Sequence, residues 1–156
     1  MSIHALAESV PEDVVDMGNT QFFTKAVYGN ASSMLIATRP AGYHSRPHRH
    51  DCEQLNWLMS GEAWVFIEDQ AYLVKAGDFL RIPSGVIHWS WNRSDKPCTV
   101  VEVHTPGLHD DTIIKSFAVG LFDADETPDF TGSPMNIFLD ENSSFDSSIA
   151  ESKVTG

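Results

Sequence analysis

The sequence predicts an all-β domain, a sandwich or barrel of short strands. Two observations carry this expectation. Short runs rich in aromatic and β-branched residues recur along the chain, separated at close intervals by turn signals built from Gly, Pro, Asn and Asp. No long stretch of helical periodicity stands between them.

Taken in order, residues 1–20 are a polar, acidic lead-in, suited to an edge strand or to wrapping the domain. Gln21 to Tyr28 reads as a strand, closed by the turn Gly29-Asn30. Ser32 to Thr38 is apolar in its middle, and Arg39-Pro-Ala-Gly42 breaks it. Tyr43 to Arg49 is extended and alternating. Leu55 to Ser60 and Ala63 to Glu68 are strands joined at Gly61-Glu62. Ala71 to Lys75 and Phe79 to Ile82 follow, with a turn at Ala76-Gly-Asp78. Val86 to Trp91 and Cys98 to His104 are the last clear strands, and Pro106-Gly107 stops the second. Thr112 to Val119 suits either a short helix or a strand. These readings divide the chain into a lead-in over 1–30, a barrel core over 31–107 and an acidic extension over 108–156. Phe122, Phe130, Ile137, Phe138 and Phe145 dock parts of that extension on the barrel, and the end from Ser147 is expected to be mobile.

The 156 residues suffice for one domain with a core, and 42% of them are hydrophobic, as in a globular protein. Lys plus Arg is 10 and Asp plus Glu is 22, a net charge of -12, so a nucleic-acid partner is not expected. No apolar run has the length of a membrane span, so no membrane partner is expected either. Cys52 and Cys98 make no disulfide framework and no secretory leader is visible, which points to a reducing, cytoplasmic setting.

Two glycine-framed stretches concentrate the histidines. In the first, Gly42 to Gly61, His48 and His50 share a strand face because side chains alternate. Two imidazoles at that pitch can converge on one ion at about 2.0–2.2 Å. His44 and Arg46 have the same parity and are expected to line the same pocket, where Arg46 would pair with an anionic group. In the second stretch, Gly77 to Asn92, His88 lies three residues beyond Gly85. Ser90 and Asn92 share its face. Trp89 and Trp91 share the other, and a partner subunit or the termini would cover them. A homodimer is the expected assembly.

The two stretches resemble the motifs of the cupin superfamily, G-x5-H-x-H-x3/4-E-x6-G and G-x5-P-x-G-x2-H-x3-N. Gly42, His48, His50 and Gly61 match the first. Gly77, Pro83, Gly85, His88 and Asn92 match the second. The resemblance covers about residues 30–105. It implies a double-stranded β-helix, or jelly-roll, barrel holding one divalent metal ion: zinc, nickel, iron or manganese. His48, His50, Gln54 and His88 would be the ligands. Gln54 departs from the family's glutamate. It is preferred over Glu53 because it keeps the family's six-residue interval to Gly61.

An amide oxygen leaves the ion's full charge in place, where a carboxylate would cancel part of it. That favours Lewis-acid and proton-transfer chemistry on a small carbonyl-rich or carboxylate-bearing substrate over oxygen activation. The local style of Tyr43 to His48, Trp89 to Asn92 and Val101 to Pro106 is similar to the monocupin polyketide cyclases. Pectin-pathway cupins that ketonize unsaturated uronates are the second likeness. The alternatives are a metal-dependent dioxygenase, a sugar-acid ketonizing isomerase and a non-catalytic binding module. His104 is a catalytic candidate. It is either a further ligand or a general acid or base if the polar face of its strand looks inward. Cys52 reads as structural or exposed, and Cys98, Trp57 and Trp64 as packing or interface.

Overall fold

The computed structural model describes residues 3–17, 20–108, 112–123, 125–126 and 137–138. They build two facing sheets from β1 (Asp13–Asp16), β2 (Gln21–Tyr28), β3 (Ser33–Arg39), β4 (His48–Arg49), β5 (Glu53–Ser60), β6 (Glu62–Ile67), β7 (Gln70–Lys75), β8 (Phe79–Ile82), β9 (His88–Trp91), β10 (Cys98–Thr105), β11 (Val119–Gly120) and β12 (Ile137–Phe138). The first sheet runs β1-β2-β3-β10-β5-β8, with β11 beside β2, and the second β12-β4-β9-β6-β7. All pairings are antiparallel except β11 with β2. This is the all-β jelly-roll expected from the sequence. Residues 112–117 resolve the helix-or-strand alternative as a helix, α1 (Thr112–Phe117). Of the expected docking aromatics, Phe130 and Phe145 lie outside the described residues, while Phe122 meets the Tyr28 ring at 6.0 Å.

Alternation decides which side chains enter the barrel. On β3, Leu35, Ala37 and Arg39 are buried, and on β10 Val100, Glu102 and His104. Leu35, Ala37 and Val100 share one buried core with Tyr43 and Val65. On β10 the polar face of the sequence therefore looks inward and half-buried Val101 and Val103 look out. The turns are chemically specified too. Gly61 has φ +77°, and a Cβ there would stand 2.8 Å from the Cys98 Cβ and the Pro97 carbonyl oxygen. Only glycine suits both demands.

Two details differ from expectation. Trp89 needs no partner subunit for cover: it stacks on Phe66 of neighbouring β6, with centroids 4.9 Å apart and planes 2° apart. The approach to β4 also contains an extra residue. His44 bridges Trp91, Ser45 N donates to Ser90 O, and His48 already pairs with His88. Four steps on one strand thus match three on the other. A bulge of this kind flips the parity of everything before it.

Candidate metal centre

The bulge decides which residues reach the barrel interior. A cavity of about 210 Å³ opens between the sheets, and Tyr43, Ser45, His48, His50, Gln54 and His88 are among its lining residues. His44 and Arg46, expected there by uninterrupted alternation, do not line it. His44 turns out against the Trp91 ring at 5.2 Å, and Arg46 lies over Phe138 at 5.4 Å. Pro47, which brings no N–H to the ladder, sits in the bulge between the two parities.

His48, His50 and His88 come together. One nitrogen from each lies within 4.8 Å of the others. Two of the rings are oriented by backbone carbonyls, with His48 Nδ1 2.8 Å from Arg46 O and His88 Nδ1 2.9 Å from Val86 O. A carbonyl only accepts, so each Nδ1 carries the proton and each Nε2 keeps its lone pair. His88 Nε2 is buried and has no hydrogen-bond partner among the described residues. Burial lowers His88 well below the ordinary imidazole value and His48 to about 4. Both are neutral at pH 7, as metal ligation requires.

Gln54 joins the cluster from β5. Its Nε2 donates to Asn56 Oδ1 at 2.8 Å, which turns Oε1 towards His50 Nε2 at 3.0 Å. His50 Nδ1 lies 3.2 Å from Cys52 O. Cys52 Sγ lies 3.0 Å from the same Nδ1. With the proton on Nδ1, two lone pairs face each other across 3.0 Å, an arrangement a shared cation relieves, and in the other tautomer Nε2 donates to Gln54 Oε1. Two donors about 2.1 Å from one ion and at a right angle would stand about 3 Å apart. The residues therefore fit a divalent ion: the lone-pair nitrogens of His48 and His88, the latter without a partner among the described residues, the His50 imidazole beside them and one oriented amide oxygen. Glu53, the competing candidate, points outward and pairs with Arg81. Cys52 is buried behind His50, and burial pushes its thiol up to about 12, so no thiolate is offered to the ion.

His104 also faces the cavity and is 3% exposed. Its ring centroid is 5.4 Å from that of His50, and its Nε2 lies 3.9 Å from Glu102 Oε2. Its Nδ1 is buried with no hydrogen-bond partner among the described residues. Burial, then the His50 and His48 rings, lower it to about 3.

Residues 34–104 match the family model described as "Cupin domain". The chain has the cupin fold. The matched residues run from β3 to β10 and include the imidazole cluster just described. Over 100 residues the chain is 28% identical to the HTH-type transcriptional regulator PuuR of Escherichia coli (strain K12), covering 61% of this chain and 54% of that protein. The chain thus spans about half the length of the curated relatives it matches. Among solved structures, a predicted oxalate decarboxylase from Thermotoga maritima aligns with TM-score 0.60 at 15% identity, covering 66% of this chain and 98% of that one. A sugar phosphate isomerase of the cupin superfamily from Silicibacter pomeroyi aligns with TM-score 0.58 at 15% identity, covering 65% and 74%. Identities this low speak to the fold alone.

The histidine-bearing motifs of the sequence single out neither Arg39 nor Asn56, both of which line the cavity. A signal existed for each. Arg39 continues the buried parity of Leu35 and Ala37, and Asn56 that of Gln54.

Proposed function

We propose that this cupin domain is a metal-dependent enzyme acting on a small carbonyl-rich or carboxylate-bearing molecule without redox change. The observation that carries the reading is the pair of carbonyl-anchored imidazoles, His48 and His88, presenting lone pairs beside His50 and Gln54. A divalent ion held there supplies Lewis acidity towards a carbonyl oxygen. The chain's own residues do the remaining work. The neutral ring of His104 accepts a proton from the carbon next to that carbonyl. Glu102, at 3.9 Å, stabilises the imidazolium that results. Tyr43, Val65 and Ile82 wall off water. Cyclisation or dehydration in the manner of the monocupin polyketide cyclases is the favoured outcome, with sugar-acid ketonization as the neighbouring alternative.

The test is turnover of β-dicarbonyl and unsaturated uronate probes by metal-loaded protein under strict anaerobiosis. Turnover there, lost in His88→Ala together with bound metal, is expected. Gln54→Glu should tighten metal binding at least tenfold and lower turnover, because the added carboxylate cancels charge the substrate would otherwise meet. Oxygen uptake on turnover would overturn the reading in favour of a dioxygenase.

A second reading draws on the likeness to PuuR. In it the chamber binds a small molecule without transforming it. Tight binding with no turnover of any probe would establish that reading and sink the first.

The outer face of the first sheet supports a homodimer as the assembly. Its registers place Ile36, Val101, Trp57 and Phe79 in one row, and Met34, Val103 and Leu55 in the next. Phe79 is 80% exposed, and Leu55, Trp57, Met59 and Met34 are also exposed. Together they present on the order of 500 Å² of apolar surface, at the upper end for a monomer and approaching the roughly 800 Å² each partner contributes to a stable interface.

A further inference from the structure

Arg39 is the charged side chain in the barrel that the metal reading leaves unused. It lines the cavity and is 8% exposed. Its Nη2 donates to Glu102, and its guanidinium lies over the Tyr43 ring at 5.3 Å. Its Nε is buried without a hydrogen-bond partner among the described residues. A guanidinium carries five N–H groups in a rigid fork, and a buried N–H left unmet costs about 1–3 kcal/mol. Nε itself is buried, while the residue as a whole lines the cavity, so the pairing with Glu102 does not take the side chain out of a ligand's reach.

The charges point the same way. Three neutral imidazoles and an amide leave a divalent ion uncompensated, and Arg39 and Glu102 cancel each other. The chamber is then dipositive, and closing it over a neutral ligand leaves that charge buried without a partner. The spacing is set by β10. Glu102, beside Arg39, and His104, beside His50, are two residues apart on one face, about 7 Å along the strand. The cavity of about 210 Å³ equals the share of about seven waters, enough for a ligand of roughly ten non-hydrogen atoms.

We propose that Arg39 is a carboxylate anchor, and that the chamber takes a small monocarboxylate. The acid group meets the Arg39 fork, and a carbonyl two to four bonds away faces the imidazole cluster. The proposal rests on the metal reading for the carbonyl end and for the charge of the chamber, while the Arg39 fork stands without it. Glu102 holds the guanidinium in orientation and competes with the ligand for it.

The experiment measures binding of 4-oxopentanoate and of its methyl ester by calorimetry, on zinc-loaded protein and on protein stripped by a chelator. The acid should bind at least tenfold tighter than the ester in both forms. Glu102→Gln should tighten the acid at least threefold, by removing the internal competitor. The double variant Arg39→Gln/Glu102→Gln leaves no ion alone in the core, and should fold, take up zinc and bind acid and ester alike. Equal binding of acid and ester by the wild type, binding of neither, or an acid preference that survives the double variant overturns the anchor. Acid preference in a protein that takes up no zinc would leave the anchor standing and remove the metal reading. Zinc uptake with equal binding would do the reverse.

Discussion

Lowering the pH from 7 to 5 should destabilise the metal-free protein by about 3–4 kcal/mol, and the imidazole cluster is the reason. His104 is held at about 3 and His48 at about 4, against an ordinary value near 6.5. Both folded values lie below the unfolded one. Between them the unfolded chain binds more protons, so stability falls as the pH falls. At pH 5 the unfolded imidazole sits 1.5 units below its own pKa, and each group costs about 2 kcal/mol at about 1.36 kcal/mol per unit. His48 is partly exposed, so its share is the smaller. His88 is lowered too and acts in the same direction. Against a total of about 5–15 kcal/mol, the loss is large. Urea unfolding in the presence of a chelator at pH 7.5, 6 and 5 measures it. His104→Gln should remove about 2 kcal/mol of the pH dependence. A metal-free wild type whose stability is flat within 1 kcal/mol over that range, or rises on acidification, would refute the assignment of neutral, buried imidazoles.

Three further outcomes are expected. Asn92→Ala should cost about 2–4 kcal/mol in denaturant unfolding, because the fully buried Asn92 amide donates to Pro40 O at 3.0 Å and Lys96 O at 2.8 Å, and accepts from the Ser94 hydroxyl at 2.7 Å. Gly61→Ala should cost at least about 2 kcal/mol in the same assay, since its φ of +77° and the 2.8 Å approach to Cys98 and Pro97 resist a side chain at once. Phe79→Lys with Trp57→Lys should turn a dimer into a monomer in light scattering, with zinc content unchanged; a species of unaltered mass would remove the outer face as the interface.

Much of the fold was legible because the signals were local. Gly61 and Gly85 have positive φ, as turn-forming glycines do, and the strands lie close to where alternation set them. The cover of Trp89 was not legible, because it depends on β6 pairing with β9, and register between distant segments leaves no mark in either segment alone. The same limit applies to the outer face of the first sheet. Leu55, Trp57 and Phe79 become one patch only when β5 and β8 are aligned.

The site shows how far parity can be carried. Counting by two from His48 reaches His50 correctly, because both lie beyond the bulge. Counting back reaches Arg46 and His44 wrongly, because the extra residue falls in between and exchanges the faces. Parity arithmetic therefore holds only within an unbroken ladder, and the proline at 47 marked where it stopped. Arg39 makes the complementary point. Read as part of a breaking Arg-Pro-Ala-Gly segment, it is a turn residue. Read as the third member of the series Leu35, Ala37, Arg39, it is a charge on the buried face of a strand. A charge in that position needs a counterion, and Glu102 of neighbouring β10, opposite Leu35, supplies it. What the pair does not supply is an acceptor for Arg39 Nε. The place of Arg39 in the cavity lining distinguishes an ion pair that only closes the core from one that also receives a ligand.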